Sequence, residues 1–213
     1  MEDDARLFDI IHTTRAMRRL KPDPVPDELI RKILEAARSA PSGGNAQQWG
    51  FIVVKDRPVK ERIQPLYEQA WDEVAWPHYK ARLDRMEPGP EKDTLVRQID
   101  AVEHLTRHFH EVPVWIVACL EVGRDGGNPG SGASIYPAVQ NMLLAARALG
   151  LGATLTTRHM AHGKEVDAVL GLPDGVRSFA IVPIGYPKGR FGPVRRRPLD
   201  ELVHLDRWGA AYR

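Results

Sequence analysis

The stretch Ser39–Val54, SAPSGGNAQQWGFIVV, constrains this chain more than any other. Pro41 cannot continue a helix and restricts Ala40 before it, so the helical pattern upstream has to stop there. Ser42, Gly43, Gly44 and Asn45 tolerate backbone angles that most residues avoid. They also offer hydroxyl, amide and bare N–H groups. Phe51 to Val54 is an apolar run that reads as a buried strand. A polar loop is thereby fixed at a helix-to-strand seam, a place where a flat cofactor with polar edges can be held.

The remaining segments are read around that seam. Leu7, Ile10 and Ile11 recur at helical spacing over residues 4–14, with Asp3 or Asp4 as the expected cap. Arg15, Arg18 and Arg19 follow as a compact cationic cluster. It suits phosphate oxygens, and it suits solvent equally well. After the proline-rich connector 22–26, Asp27 starts a helix whose apolar face is Leu29, Ile30, Ile33, Leu34 and Ala37. Residues 59–111 read as a helical excursion between two strands. It is aromatic through Tyr67, Trp71, Trp76 and Tyr79, and it is interrupted at Met86–Pro90. The excursion is either a lid over a pocket or a subunit face.

Residues 112–120 form the second buried strand. Gly123–Gly132 reads as a mobile connector, since it lacks both the Gly-x-Gly-x-x-Gly spacing and a Walker lysine. Residues 134–149 predict a central helix that is apolar nearly all round, with Gln140 and Asn141 as polar exceptions. Ala153–Thr157 reads as a short strand, 165–170 as a brief helix and 179–184 as another strand. Arg195, Arg196 and Arg197 make a second basic cluster ahead of a C-terminal arm, 199–213. Four convincing strands alternating unevenly with helices predict a single α+β domain over 1–213. Its expected core is a central mixed, mostly antiparallel sheet covered by helices.

Charge excludes little but points one way. With 30 Lys and Arg against 28 Asp and Glu, the net charge is +2. Nothing in that balance predicts nucleic-acid binding. Cys119, the one cysteine, lies in an apolar run and reads as buried filler. The acidic start has no signal-peptide layout and no apolar stretch is long enough to span a bilayer, so a cytoplasmic location is expected. His104 and His108 have the spacing of a helical metal pair but no evident third ligand, so no metal is expected. His159 and His162 read as exposed loop histidines.

Four segments in order resemble the FMN-dependent nitroreductase family over nearly the whole chain. They are TTRAMRRLKPDPVPDELIRKILEAARSAPSGGNAQQWGFIVV, AVQNMLLAARALGLG, IVPIGYP and RRRPLDEL. The resemblance implies FMN held at the interface of an intertwined homodimer. Arg15 and Arg18 match the N-terminal motif that grips the flavin phosphate, and Arg196 with Arg197 matches the C-terminal motif closing on it. Pro41, Ser42, Gly43 and Asn45 match the loop that approaches from the other subunit, with Gln47 just after it. Leu155, Thr156 and Thr157 match the segment facing the flavin ring near N5 and O4. Thr14-Arg15-Ala16 stands where many members have Arg-Arg-Ser, and the Glu-Gly pair of some nitroreductases is missing after Gly152.

The activity so implied is electron transfer from NADH or NADPH, through flavin, to a nitroaromatic, quinone or similar small acceptor by a ping-pong route. No side chain is singled out as nucleophile or general acid. Reductive dehalogenation, flavin fragmentation and non-enzymatic FMN storage are the alternatives on the same fold.

Overall fold

In the computed structural model, residues 2–123 and 130–212 are described, so the segment expected to be a mobile connector lies largely outside the described residues. The chain divides into two compact units. One comprises the N-terminal segment up to Arg15 with the chain from Phe191 onward, and the other comprises Ala16–Arg190.

The larger unit is built on an antiparallel four-stranded sheet. Its strands are β1 (Trp49–Val54), β2 (Val114–Glu121), β3 (Gly152–Ala153) and β4 (Val176–Gly185), in the order β1-β2-β4-β3. Every ladder among the described residues is antiparallel. β2 is the most deeply buried strand, because β1 and β4 pair with it on either side and helices pack around it. Its residues from Val114 to Leu120 are all buried, including Cys119. That burial pushes the Cys119 thiol up to about 12, so it is the inert filler its surroundings imply.

Helix α2 (Asp27–Arg38) begins directly after Pro26, with Asp27 and Glu28 in its first turn, where the helix dipole favours carboxylates. Helix α6 (Ser131–Ala148) packs on α2 through Ile33, Ala37, Ala138 and Met142, over the sheet residues Ile116, Ala118 and Val182. This helix is buried on one face and not all round. Gln140 is exposed, and Leu143 and Leu144 are only half-buried. Asn141, the other polar exception, donates from Nδ2 to the Ala36 carbonyl at 2.9 Å, tying α6 to the last turn of α2, where carbonyls lack helical partners.

Between β1 and β2 runs the helical excursion: α3 (Arg57–Ala70), a wide π turn (Trp71–Ala75), α4 (Trp76–Asp84) and α5 (Pro90–Arg107). Asp56 caps α3 by accepting from the Val59 N–H at 3.1 Å. The buried Lys60 donates to the carbonyls of Val112 at 2.7 Å and Pro113 at 2.9 Å, tying the excursion to the entry of β2. Trp71, Leu95, Ile99 and Val102 form a small core of their own. Helix α7 (Gly163–Leu170) completes this unit.

The smaller unit contains α1 (Glu2–Thr13), so Asp3 and Asp4 lie inside the helix and not ahead of it. Here the two ends of the chain meet: the Val194 N–H donates to the His12 carbonyl at 3.0 Å.

A junction in the larger unit sets the path of residues 17–20. The Met17 N–H donates to the Ala153 carbonyl at 3.0 Å, and Leu20 forms a bridge with Pro187. A Cβ on Gly152 would stand 2.8 Å from Leu20 Cδ2 and 2.9 Å from Met17 Cβ. Glycine is therefore required for the 17–20 segment to lie flat on β3. We expect Gly152→Ala to lower the unfolding free energy by about 1–3 kcal/mol through overpacking. Urea titration of the purified variant checks this, and an unchanged midpoint would show that the junction yields freely.

Candidate functional site

β3 is shorter than its sequence suggests. After Ala153 the chain peels away from β4 and touches it again only where Thr156 and Ile181 exchange backbone hydrogen bonds of 3.0 and 2.9 Å. The N–H groups of Leu155 and Thr157 consequently have no protein partner among the described residues. Both residues are exposed and face a cleft of about 570 Å3. That volume falls within the ordinary range for small-molecule sites.

Thr154 to Arg158 form one wall of the cleft, and Tyr67, Val74, Ala75 and Tyr79 of the excursion form the other. The walls are joined by a hydrogen bond of 2.8 Å between the Tyr67 hydroxyl and Thr156 Oγ1. The π turn Trp71–Ala75 contributes Val74 and Ala75, an irregularity of the kind that helices often carry beside functional sites. Arg18 enters from the segment that Gly152 holds flat.

The cleft is electropositive and lacks an acid. None of its lining residues is Asp or Glu, yet two are arginines, Arg18 and Arg158. Desolvation pulls the Arg18 guanidinium below its ordinary value; Tyr79 and Tyr67 oppose that shift and Arg158 adds to it. Desolvation does the same to Arg158. Burial raises the Tyr67 phenol, against the influence of Arg158. Arg158 lies over the ring of Tyr67 at 4.7 Å and over Trp71 at 4.9 Å, and donates from Nη1 to Thr106 Oγ1.

The residues expected at the site thus fall into three places. Arg18, Leu155, Thr156 and Thr157 line the cleft. Pro41, Ser42, Gly43, Asn45 and Gln47 belong to the same unit but do not line it. Their loop is held by its own bonds, Gln47 N–H to Ser42 Oγ at 3.0 Å and Gly43 N–H to Ser134 Oγ at 3.2 Å. Gly44, Asn45 and Gln47 all adopt positive φ, at 58°, 54° and 50°. For the two non-glycine residues this is stored backbone strain, of the sort that persists at functional sites. Arg15, Arg196 and Arg197 share the smaller unit; all three are exposed, and the Arg15 guanidinium reaches to within 3.9 Å of where a Cβ on Gly192 would stand.

Arg158 was absent from the expected set. Its signal in the sequence is position alone, directly after Thr157. His159 is a correction: it is fully buried and not an exposed loop histidine. Ser178 donates its hydroxyl proton to Asp167 Oδ1 at 2.5 Å, so His159 Nε2 carries a proton and donates to Ser178 Oγ at 3.1 Å. Nδ1 is buried without a partner. This anchor pins the far side of the 154–158 wall. Among the described residues no three His, Cys, Asp or Glu side chains converge as a metal site.

Burial pushes the His159 imidazole down to about 4, with Ser178 and Asp167 pulling the other way. Its unfolded value is near 6.5. Between those two pH values the unfolded chain binds a proton that the folded one does not. The contribution is therefore intact above pH ~6.5 and is lost as pH falls toward ~4, amounting to about 3 kcal/mol. We expect the stability advantage of the wild type over His159→Gln to shrink by about 2–3 kcal/mol between pH 7 and 4.5. Parallel urea-derived profiles for the two proteins would contradict the assignment.

Comparison with known proteins agrees with this layout. Residues 11–186 match the Nitroreductase family. An NADH dehydrogenase of Thermus thermophilus is 30% identical over 200 residues, covering 89% of this chain and 90% of that protein. The crystal structure of oxidized iodotyrosine deiodinase bound to FMN and 3-iodo-L-tyrosine superposes with a TM-score of 0.69 at 26% identity, covering 96% of this chain and 99% of that one. A BluB-like flavoprotein from Clostridium difficile shares the fold, with a TM-score of 0.70 at 24% identity over 94% of this chain and 99% of that one.

Proposed function

The chain belongs to the nitroreductase family of oxidoreductases, and on that footing we propose that it binds FMN and passes electrons from NADH or NADPH to a small acceptor such as a nitroaromatic or a quinone. The observation that carries this reading is the cleft in which Arg18 meets the two unpartnered N–H groups of Leu155 and Thr157. A flat heterocycle with acceptors along its edges suits that donor set.

FMN, when bound, would supply the redox chemistry, accepting electrons from the nicotinamide and releasing them to the acceptor. The protein's part is to bind, orient and polarise. The Leu155 and Thr157 N–H groups would hold the ring edge near N5 and O4. Arg18 would place positive charge beside the ring, where it favours the electron-rich reduced form. Arg15, Arg196 and Arg197 would take the phosphate, drawing on both chain ends of the smaller unit. Tyr67 and Tyr79 would bound the face on which donor and acceptor alternate.

A homodimer follows from two features. The strained Ser42–Gln47 loop does not line its own chain's cleft, so a second copy would supply it. Leu143 and Leu144 of α6 stay half-exposed within the chain, as an apolar subunit face would. Among the described residues no helix is long and apolar enough to cross a membrane. The likeness to a deiodinase structure holding 3-iodo-L-tyrosine favours one second reading, reductive dehalogenation at the same cleft, which product analysis with a halotyrosine distinguishes.

We expect the purified protein to take up FMN, to be bleached anaerobically by NADH or NADPH, and to sediment as a dimer. We also expect Arg15→Ala and Arg196→Ala each to weaken FMN binding by roughly ten- to a hundredfold, the loss of one charge-assisted phosphate contact. Failure to take up FMN at all would overturn the reading, and unchanged affinity in either variant would remove that arginine from the phosphate site.

A further inference from the structure

The cleft holds one cation more than a flavin ring calls for. Arg18 comes from the segment beside β3, and Arg158 ends the Leu155–Thr157 wall. They repel: Arg158 is among the groups that disfavour the charge on Arg18. No ion pair neutralises either guanidinium among the described residues. Two like charges gathered in a partly desolvated cleft without an acid are costly unless an anion joins them.

Arg158 is also held in a particular pose. Its flat face rests on Tyr67 at 4.7 Å and on Trp71 at 4.9 Å. Nη1 is anchored to the hydroxyl of Thr106, which is itself fully buried and bonded to the Val102 carbonyl at 2.9 Å. Nε and Nη2 have no protein partner among the described residues. A guanidinium stacked and pinned at one corner loses little freedom when its open donors meet a planar oxyanion. The cleft walls beside it are aromatic and aliphatic, through Tyr67, Tyr79 and Val74.

We propose that Arg158 is a specificity-determining residue that receives the carboxylate of a planar aromatic acceptor, so that the natural substrates are aromatic acids and not neutral aromatics. This rests on the oxidoreductase reading above, with Arg18 serving the cofactor and Arg158 left for the substrate. A purely structural Arg158, present only to cover Tyr67 and Trp71, would treat an acid and its neutral amide alike.

The test uses two matched probes that differ only in charge, 4-hydroxybenzoate and 4-hydroxybenzamide. Their binding is measured by titration calorimetry on the full chain, with FMN uptake measured first in the same preparation. The acid should bind the wild type about tenfold or more tightly than the amide, the worth of a charge-assisted hydrogen bond. In Arg158→Gln the preference should fall to within about twofold while amide binding and FMN uptake stay unchanged, and Arg158→Lys should keep part of it. The comparison is run with and without FMN. Absence of FMN uptake would count against the cofactor reading alone, because the acid-to-amide ratio is still read. Equal binding of acid and amide to the wild type, a preference that survives Arg158→Gln, or loss of FMN from that variant would each overturn the proposal. A variant that loses thermal stability yet keeps the wild-type ratio would mark Arg158 as structural and overturn it too.

Discussion

A column of stacked flat groups joins the sheet to the cleft, and the rest of the site depends on it. It starts at Trp115, near the start of β2, whose indole Nε1 donates to the Phe109 carbonyl at 3.1 Å. Phe109 stacks on Trp115 at 4.1 Å, and Tyr67 stacks on Phe109 at 4.0 Å. Arg158 closes the column over Tyr67. Each interface is worth roughly 0.5–1.5 kcal/mol beyond the area it buries, but its geometric role is larger. It passes the rigidity of a fully buried strand to an excursion that would otherwise be tethered mainly at its ends. Tyr67 is thereby positioned to hold Thr156, and the wall of the cleft is set from both sides.

The backbone contributes as much to the site as the side chains do. A strand that stayed in its ladder through Thr157 would bury its amides in pairing. Because β3 lets go after Ala153 and returns only at Thr156, alternate N–H groups turn toward the cleft while Thr156 keeps the segment registered against Ile181. The buried His159–Ser178–Asp167 chain then fixes the far end of the same wall. Ready-made donors on a rigid support are what electrostatic stabilisation of a bound group requires, since they need no reorganisation when charge shifts.

Much of this was legible in the residues. The breaks at Pro41 and at Gly150, the apolar run of β2 and the periodicity of α2 and α6 follow from local rules, and they place the Ser42–Gln47 loop and the 155–157 segment correctly in the chain. What the residues did not reveal was long-range. Arg158 looks like one more surface arginine until Tyr67, Trp71 and Thr106, from 52 to 91 positions upstream, close around it. His159 sits among polar neighbours, so its burial is invisible without β4 and α7. The true length of β3 was equally hidden, because Thr154 to Thr157 are good strand formers and only the path of β4 decides where pairing stops.

The π turn at Trp71–Ala75 has an evolutionary consequence. A turn of this kind accommodates one residue more than an α-helical turn. Removing one residue there would restore regular winding and rotate all of α4 by roughly 100° about its axis, at 3.6 residues per turn. Tyr79 would swing off the cleft wall while the core contacts of Trp71 stayed in place. Length changes in proteins usually accumulate in loops, where they leave the fold alone. Here a single-codon insertion or deletion inside a helix would act as a dial on the shape of the cleft, letting acceptor preference drift between related chains while the flavin-facing wall stays the same.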